Sequence, residues 1–194
     1  MKIGVLALQG DVREHAAALS EAGATPVEVK HPRDLADVDG LILPGGESTT
    51  IGKLLERSGG LGEIRERAAG GMPLYGTCAG LILMARSVIG DHDAPHRLGV
   101  LDVVVRRNAY GRQADSFETD VDVEGIGEPF RAVFIRSPLI EEVGPDVEVL
   151  ARRQGEPVLV RQGSLLASSF HPEMTRDPRV HRLFVHLAAG QGED

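Results

Sequence analysis

The chain contains 194 residues with a formal net charge of −8, and 42% of its residues are hydrophobic and 26% charged. A chain of this length and balance is expected to fold as a single domain over residues 1–194, and its sequence shows neither an apolar window long enough to cross a membrane nor a secretory signal. The acidic charge excludes the basic surface that nucleic-acid binding requires, and a single cysteine excludes an internal disulfide and predicts a cytoplasmic protein.

The first half of the chain alternates strand-like and helix-like segments. A continuous apolar run over residues 2–8 is typical of a parallel strand that is buried on both faces. Residues 11–22 carry apolar side chains at helical spacing, and Gly23 ends that helix. Further strands are predicted over residues 27–29, 39–44 and 74–75, and further helices over residues 49–57 and 61–69. This alternation predicts an α/β fold with a doubly wound, mostly parallel sheet between two layers of helices.

After Ser87 the pattern changes to short strand-like segments that are separated by turn residues. These segments cover residues 100–106, 117–123, 131–135, 147–151, 157–161 and 165–170. Their spacing predicts an antiparallel extension of the sheet that includes hairpins. A last helix is predicted over residues 179–189.

The residues around Cys78 predict a nucleophile. An apolar strand-like run ends at Gly76, and Gly80 opens an apolar helix-like run. This G-x-C-x-G pattern is typical of the sharp strand-to-helix turn that exposes a nucleophile above a sheet, and the N-terminus of the following helix favours a thiolate. The alternative is a buried structural cysteine, which the flanking glycines at a strand end argue against.

A base and its orienting group are predicted at the end of the last strand. Pro172 biases His171 toward an extended backbone. Because residues i and i+2 of an extended segment project to the same side, Glu173 can lie beside the imidazole ring. The carboxylate would then fix the useful tautomer and stabilise the imidazolium. For His171 alone, a satisfied polar residue at a strand end is the alternative.

The remaining histidines are weaker candidates for the base. His15 lies on the apolar stripe of the first helix, which predicts packing or contact with a partner. His181 and His186 are predicted at the surface or the end of the last helix. No histidine and carboxylate pair has metal-ligand spacing, so no metal is expected. Polar loops contain His31, His92 and His96.

Backbone donors for an oxyanion are predicted at two places. One is the N–H of Ala79, at the start of the helix that follows Cys78. The other is a glycine N–H of Gly45 or Gly46, because ligands of such sheets bind outside the carboxyl ends of the strands and glycine permits close backbone approach. A glycine-rich turn in which Ser48 or Thr49 caps the next helix is the alternative, and both interpretations are compatible.

Together these motifs resemble the class I, triad-type glutamine amidotransferases, and most of all the glutaminase subunits of pyridoxal 5′-phosphate synthases. The resemblance covers nearly the whole chain, and the set of motifs is far more specific than any one of them. A longer loop over residues 90–98 departs from the family pattern. The matching segments are residues 4–15, 43–50, 76–81, 107–113, 134–138 and 169–173.

The resemblance implies roles for particular residues. Cys78 would be the nucleophile, His171 the base and Glu173 the group that orients the base. Arginine can bind the α-carboxylate of a free amino acid, and a carboxylate can bind its α-ammonium; ordinary surface charge is the alternative for the two arginines. The implied glutamine site consists of Gly46, Glu47, Ser48, Arg107, Ile135 and Arg136.

The resemblance also implies the reaction and the partner. Glutamine would be hydrolysed to glutamate and ammonia through a γ-glutamyl thioester on Cys78. The ammonia would pass to a (β/α)8-barrel synthase subunit that builds pyridoxal 5′-phosphate from ribose 5-phosphate and glyceraldehyde 3-phosphate. Twelve subunits of each kind would assemble, and docking of the synthase would complete the oxyanion hole. No metal or organic cofactor is implied.

Three alternatives remain at the level of the sequence. The chain would be the glutaminase component of another class I amidotransferase, a related α/β cysteine hydrolase or peptidase, or a regulatory subunit without activity. Arg107, Arg136 and the loop from Gly46 to Ser48 favour a small amino acid over a peptide. A complete set of Cys78, His171 and Glu173 argues against an inactive subunit.

Overall fold

A computed structural model describes residues 1–90, 96–107 and 116–190. The helices are α1 (Val12–Glu21), α2 (Ser48–Ser58), α3 (Gly60–Ala69), α4 (Ala79–Met84) and α5 (Arg179–Ala188), and short 3-10 helices cover Pro32–Asp37 and Pro172–Met174. The strands are β1 (Lys2–Leu6), β2 (Thr25–Val29), β3 (Gly40–Leu43), β4 (Leu74–Thr77), β5 (Ala85–Ile89), β6 (Leu101–Arg106), β7 (Phe117–Val121), β8 (Phe130–Phe134), β9 (Leu139–Val143), β10 (Glu148–Arg153), β11 (Glu156–Gln162) and β12 (Leu165–Ser168).

The central sheet has seven strands in the order β10-β11-β12-β4-β3-β1-β2. The pairs β1–β2, β1–β3, β3–β4 and β4–β12 are parallel, whereas β10–β11 and β11–β12 are antiparallel. The predicted doubly wound, mostly parallel sheet with an antiparallel extension is therefore confirmed.

Successive side chains of the buried strands point to opposite faces of this sheet. Leu41 and Leu43 of β3 pack with α2, α3 and α4, whereas Ile42 packs with α1 and α5. Both faces are thus covered, which is why the parallel strands are apolar along their whole length. The predicted arrangement of three layers, α/β/α, is confirmed. Within the described ranges, no helix is long and apolar enough to cross a membrane.

Part of the prediction for the second half of the chain is wrong. Strands β10 to β12 extend the central sheet as expected, but β6 lies in a separate sheet of order β5-β6-β9, and β7 pairs with β8 alone. Strands β5 and β9 were not predicted. The spacing of short strands reveals hairpins but not the sheet to which they belong, because partner choice is decided by packing onto the two faces of the central sheet.

The buried run after Cys78 also divides differently from the prediction. The helix α4 ends at Met84, and the chain continues directly as β5 from Ala85. All six residues of α4 are buried. A fully apolar run has no polar face that would mark the period of a helix or a strand, so its change of structure is invisible in the sequence.

The functional edge of the molecule is where the parallel strands end. Strand β1 ends just before Gln9, β3 just before Gly45, β4 at Thr77 and β12 just before His171. Because these strands are parallel, their carboxyl ends meet at one edge of the sheet, which is where ligands of such folds bind.

Candidate active site

Cys78 occupies a strained turn between β4 and α4. Its φ of 48° lies in the left-handed region that residues with a side chain rarely adopt. The turn is held by a hydrogen bond from the N–H of Cys78 to the carbonyl of Ser168 (2.9 Å) and by one from the N–H of Ile82 to the carbonyl of Cys78 (3.2 Å). Strain of this kind persists where the surroundings fix the backbone, and it is common at functional sites.

The two glycines of the predicted elbow are required by close backbone contacts. A Cβ on Gly76 would lie 2.6 Å from the carbonyl carbon of Gly80, and one on Gly80 would lie 2.0 Å from the carbonyl oxygen of Leu43. Any larger residue would force α4 away from β3 and β4. The pattern read in the sequence is therefore the pattern that this strand-to-helix turn demands.

The ring of His171 lies against Glu173 as the sequence predicts. Nδ1 of His171 donates to Oε1 of Glu173 at 2.7 Å, and both residues are only 5% exposed. The N–H of His171 donates to the carbonyl of Val133 at 2.8 Å, which ties this segment to the end of β8. Nε2 of His171 makes no hydrogen bond of ordinary geometry within the described part of the chain. That nitrogen is therefore the one available for proton transfer.

The electrostatics of the pair favour a charged imidazole ring. Burial opposes the charge on His171, but hydrogen bonding to Cys78 and to Glu173, together with their negative charges, outweighs it and raises the pKa of His171 to about 10. Burial raises the pKa of Glu173, and the hydrogen bond from His171 acts in the opposite direction. Across the neutral range the geometry thus suits an imidazolium beside a thiolate.

Cys78 and His171 open into a cavity of about 560 Å³. The predicted site residues Gly46, Glu47, Ser48, Ala79, Arg107, Ile135 and Arg136 line it together with them. Gly45 and Glu173 lie behind the ring of His171 rather than at the cavity wall, since a Cβ on Gly45 would come within 2.6 Å of Cε1 of His171. The structure therefore brings every predicted site residue to one place.

Glu47 has a second role that the sequence did not reveal. Its carboxylate accepts from the N–H groups of Thr49 (3.1 Å) and Thr50 (2.8 Å), so the cap of α2 is Glu47 rather than the expected Ser48 or Thr49. Arg107 donates to the same carboxylate at 3.1 Å. Partial burial opposes the charge, but these hydrogen bonds outweigh it and lower the pKa of Glu47 to about 2. The cavity thus contains a fixed carboxylate and a fixed guanidinium side by side.

The remaining wall contains a second strained residue and a residue that the sequence analysis missed. Arg136 has a φ of 45°, and the preceding carbonyl, that of Ile135, lies 4.0 Å from Sγ of Cys78. Gln9 accepts from the N–H of Glu47 at 3.1 Å and also lines the cavity. The position of Gln9 directly after β1 is the one signal that would have indicated it. Asp11, Ile82 and Met174 were missed as well.

Asp11, His171 and Glu173 place one ligand atom each within 4.8 Å of one another, a spacing that a metal ion could use. Nδ1 of His171 already donates to Glu173, so a metal at this nitrogen would have to break the 2.7 Å hydrogen bond. Oδ2 of Asp11 lies 3.7 Å from the same nitrogen. The donor set therefore suits orientation of the imidazole better than metal binding.

The other histidines lie outside the cavity, and one prediction for them is wrong. His181 is fully buried rather than at the surface, with Nε2 of its ring 3.0 Å from Nδ1 of His15. His96 pairs with Glu56 at 2.7 Å. His31 and His186 are exposed as predicted. His92 lies outside the described residues, as do most of the 90–98 loop and all of the 107–113 segment except Arg107.

Three comparisons place this site among known proteins. The profile of the SNO glutamine amidotransferase family matches residues 5–189. The pyridoxal 5′-phosphate synthase subunit PdxT of Frankia casuarinae is 59% identical over 98% of this chain and 96% of its own length, and the subunit of that name from Shouchella clausii is 54% identical over 97% and 96%. A crystal structure of a glutamine amidotransferase, 54% identical, superposes with a TM-score of 0.92 and covers 96% of this chain and 98% of its own. A putative GMP synthase protein from Thermoplasma acidophilum shares the fold, with a TM-score of 0.68 at 20% identity over 98% and 95% of the two chains.

Proposed function

Because the chain belongs to the SNO glutamine amidotransferase family, we propose that it hydrolyses L-glutamine and supplies the ammonia to a synthase subunit for pyridoxal 5′-phosphate synthesis. The relatives named above are subunits of pyridoxal 5′-phosphate synthase. The observation that carries the proposal is the buried pair of His171 and Glu173 beside Cys78, at a cavity that also contains Arg107. A nucleophile, a base and an anchor for an amino acid are thus present in one site.

The proposed reaction proceeds in two steps. The thiolate of Cys78 attacks the γ-carboxamide carbon of glutamine, and the imidazolium of His171 gives its Nε2 proton to the departing ammonia. The product is a γ-glutamyl thioester on Cys78. Neutral His171 then takes a proton from water, the hydroxide attacks the thioester carbon, and glutamate and the thiolate are released. Glu173 keeps the ring in place and stabilises its charged form.

The tetrahedral intermediate of each step carries a negative oxygen that needs backbone donors. We propose that Ala79 supplies one N–H from the start of α4 and that the turn of Gly45 and Gly46 supplies the other. Gly46 has a φ of 142°, and the next N–H along the chain, that of Glu47, donates to Gln9. A glycine peptide can rotate at little steric cost, so this donor need not be aligned in the free subunit.

The amino-acid end of glutamine is assigned to the charged wall of the cavity. Arg107 and Arg136 are proposed to bind the α-carboxylate, because a guanidinium recognises a carboxylate through paired hydrogen bonds. Glu47 is proposed to accept the α-ammonium, which suits a carboxylate that stays ionised down to low pH. Gly46, Ser48 and Ile135 are proposed to form the remaining wall.

The partner is proposed to be a (β/α)8-barrel synthase subunit in an assembly of twelve subunits of each kind, which the resemblance supports. Residues 1–194 are proposed to form one glutaminase domain. We also assign it to the cytoplasm, because the mechanism requires the single thiol, Cys78, to remain reduced.

Two alternatives are less well supported. A glutaminase component of another class I amidotransferase is represented by a structure that is only 20% identical, which supports the fold alone. A related cysteine hydrolase that acts on peptides would not need the ion pair of Arg107 and Glu47 at the cavity wall. That pair offers both charges that a free amino acid requires.

The nucleophile assignment is tested by covalent labelling. The chain, mixed with its synthase subunit, is treated with a diazoketone analogue of glutamine and examined by intact-mass and peptide mass spectrometry. We expect one adduct per chain, on Cys78, that excess glutamine suppresses. Cys78→Ala is the matched control and is expected to remain unlabelled. Labelling of the alanine variant, or no labelling of the wild-type chain, would contradict the assignment.

A further inference from the structure

A buried histidine that the proposed reaction does not use lies directly behind Glu173. His15 of α1 is fully buried. Nε2 of its ring is 3.2 Å from Oγ1 of Thr77 and 3.5 Å from Oε2 of Glu173, the carboxylate oxygen that does not contact His171. Among the described residues, that oxygen makes no hydrogen bond of ordinary geometry. His15 thus faces the one unsatisfied atom of the group that orients the base.

The charge state of His15 follows from its surroundings. Burial, followed by the charges of His181 and His171, lowers the pKa of His15 well below 6.5. Burial alone lowers the pKa of His181 to about 4. Both rings are therefore neutral near pH 7, and each has one N–H and one bare nitrogen.

Only one arrangement of the two protons suits all the contacts. If Nε2 of His15 carries its proton, it donates toward Glu173 and Thr77, and Nδ1 accepts from Nε2 of His181 across 3.0 Å. The nitrogen left without a partner is then a bare Nδ1 of His181. The opposite arrangement would turn a lone pair toward the carboxylate and would bury an unpaired N–H at His181, which proteins avoid more strongly than an unpaired acceptor.

We propose that His15 is a positioning residue for the proposed glutaminase reaction, because its Nε2–H orients the free carboxylate oxygen of Glu173 and thereby the ring of His171. The inference rests on the proposed function. Thr77, the second group that Nε2 meets, is the residue directly before Cys78. One side chain of α1 thus contacts both the orienting group and the strand end that carries the nucleophile. The row of side chains runs His181, His15, Glu173, His171.

The first test separates the two ring nitrogens. Glutamine places an amide nitrogen where Nε2 was, whereas asparagine reaches only the position of Nδ1. With the synthase subunit present, we expect His15→Gln to retain most of the glutaminase turnover. We expect His15→Asn and His15→Leu to lower kcat by about tenfold with KM unchanged, the lower end of what the loss of such a supporting partner does to activity. Equal activity of the glutamine and asparagine variants would overturn the proposal, also where the leucine variant does not fold.

The second test is a double-mutant cycle. In a Glu173→Ala background, His15 has no carboxylate to orient, so His15→Leu is expected to change kcat by less than about twofold. The same tenfold loss in both backgrounds would overturn the proposal, because a merely structural role would be additive. Leu19→Ala is the matched control: Leu19 is also a fully buried residue of α1, and its variant is expected to lose stability while retaining kcat.

A readout without glutamine keeps this inference separate from the proposed function. The rate at which iodoacetamide alkylates Cys78 depends on the His171 ring that activates the thiolate. We expect this rate to fall in His15→Leu and to be restored in His15→Gln. If the wild-type chain failed to hydrolyse glutamine, the proposed function would fail, and the alkylation rates would still decide the inference. Equal rates in wild type and His15→Leu would overturn it.

Discussion

Cys78 combines a strained backbone with a reactive side chain. Its φ of 48° is maintained because Gly76 and Gly80 let α4 approach the sheet closely, and because its N–H is bonded to Ser168. A residue with a Cβ in this region costs on the order of 1–3 kcal/mol. The sulfur is thus presented to the cavity at the expense of folding stability.

This strain leads to a prediction about stability. At an ordinary site alanine is more stable than glycine, but at a positive φ the order is reversed because only glycine is free of the Cβ clash. We expect Cys78→Gly to exceed Cys78→Ala in free energy of unfolding by about 1 kcal/mol. Urea titration of the two variants measures the difference. Gly62→Ala is the control, since that site in α3 has open space and an ordinary φ and should favour alanine. A less stable glycine variant at position 78 would contradict the strain.

The two members of the proposed base pair are expected to differ in importance. His171→Asn removes the group that moves the proton, which should lower turnover by roughly two to four orders of magnitude. Glu173→Gln removes only the charge that orients and stabilises the ring, so measurable activity should remain. Steady-state glutamate release in the presence of the synthase subunit measures both. Wild-type activity of His171→Asn would assign the role of base to another residue.

The loop between β3 and α2 has a structural role at the site besides the proposed oxyanion donor. A Cβ on Gly45 would lie 2.6 Å from Cε1 and 3.1 Å from Nδ1 of His171, so Gly45→Ala must displace the ring. A misplacement of about 1 Å can lower a rate by about a hundredfold. We expect Gly45→Ala to lose one to two orders of magnitude in kcat. Gly62→Ala is the matched glycine control and should keep full activity. Unchanged kcat in Gly45→Ala would show that the ring can move without harm.

The contact between α1 and α5 predicts a loss of stability in acid. The folded pKa of His181 is about 4, below the ordinary 6.5, so its contribution to stability is present above pH 6.5 and is lost as the pH falls from 6.5 through 4. At pH 4 the wild-type chain should have lost about 3 kcal/mol relative to His181→Gln, compared with the difference at pH 8. Urea titrations of both proteins across this range measure it. His186→Gln, at an exposed site on α5, is the control. A difference independent of pH would contradict the buried neutral ring.

The parts of the site that the sequence could predict are those encoded locally. The glycines around Cys78 and the spacing of His171 and Glu173 are set by a single turn each, and the parallel strands by continuous apolar runs. The role of Glu47 as a cap and the burial of His181 depend on contacts between segments that are distant along the chain. No local pattern distinguishes a histidine buried against another helix from one at the surface.

At the scale of the whole molecule, α1 and α5 from opposite ends of the chain meet behind the active site. His15 and His181 join there, and Glu173 lies between His15 and the catalytic ring. The small sheet of β5, β6 and β9 packs on the opposite face of the central sheet. The nucleophile is thus positioned by the central sheet, and its proposed base is held by elements of the α1–α5 face.

The rate of glutamine hydrolysis is expected to depend on the synthase subunit. The triad is assembled in the isolated chain, but the Gly45–Gly46 turn need not direct its N–H to the oxyanion before the partner docks. A missing oxyanion donor lowers turnover by on the order of a hundredfold to a thousandfold. The isolated chain should be slower than the complex by about this factor. Equal rates would contradict the dependence while leaving the glutaminase reaction in place.

The most direct test of the account is the release of glutamate and ammonia from L-glutamine by the chain mixed with its synthase subunit, measured for wild type and for Cys78→Ala. We predict equimolar glutamate and ammonia from the wild-type complex and turnover at least about a thousandfold lower from the alanine variant. Circular dichroism and co-purification with the synthase subunit verify that the variant is folded and bound. No hydrolysis by the wild-type complex, or retained turnover in Cys78→Ala, would contradict glutamine hydrolysis through a thioester on Cys78.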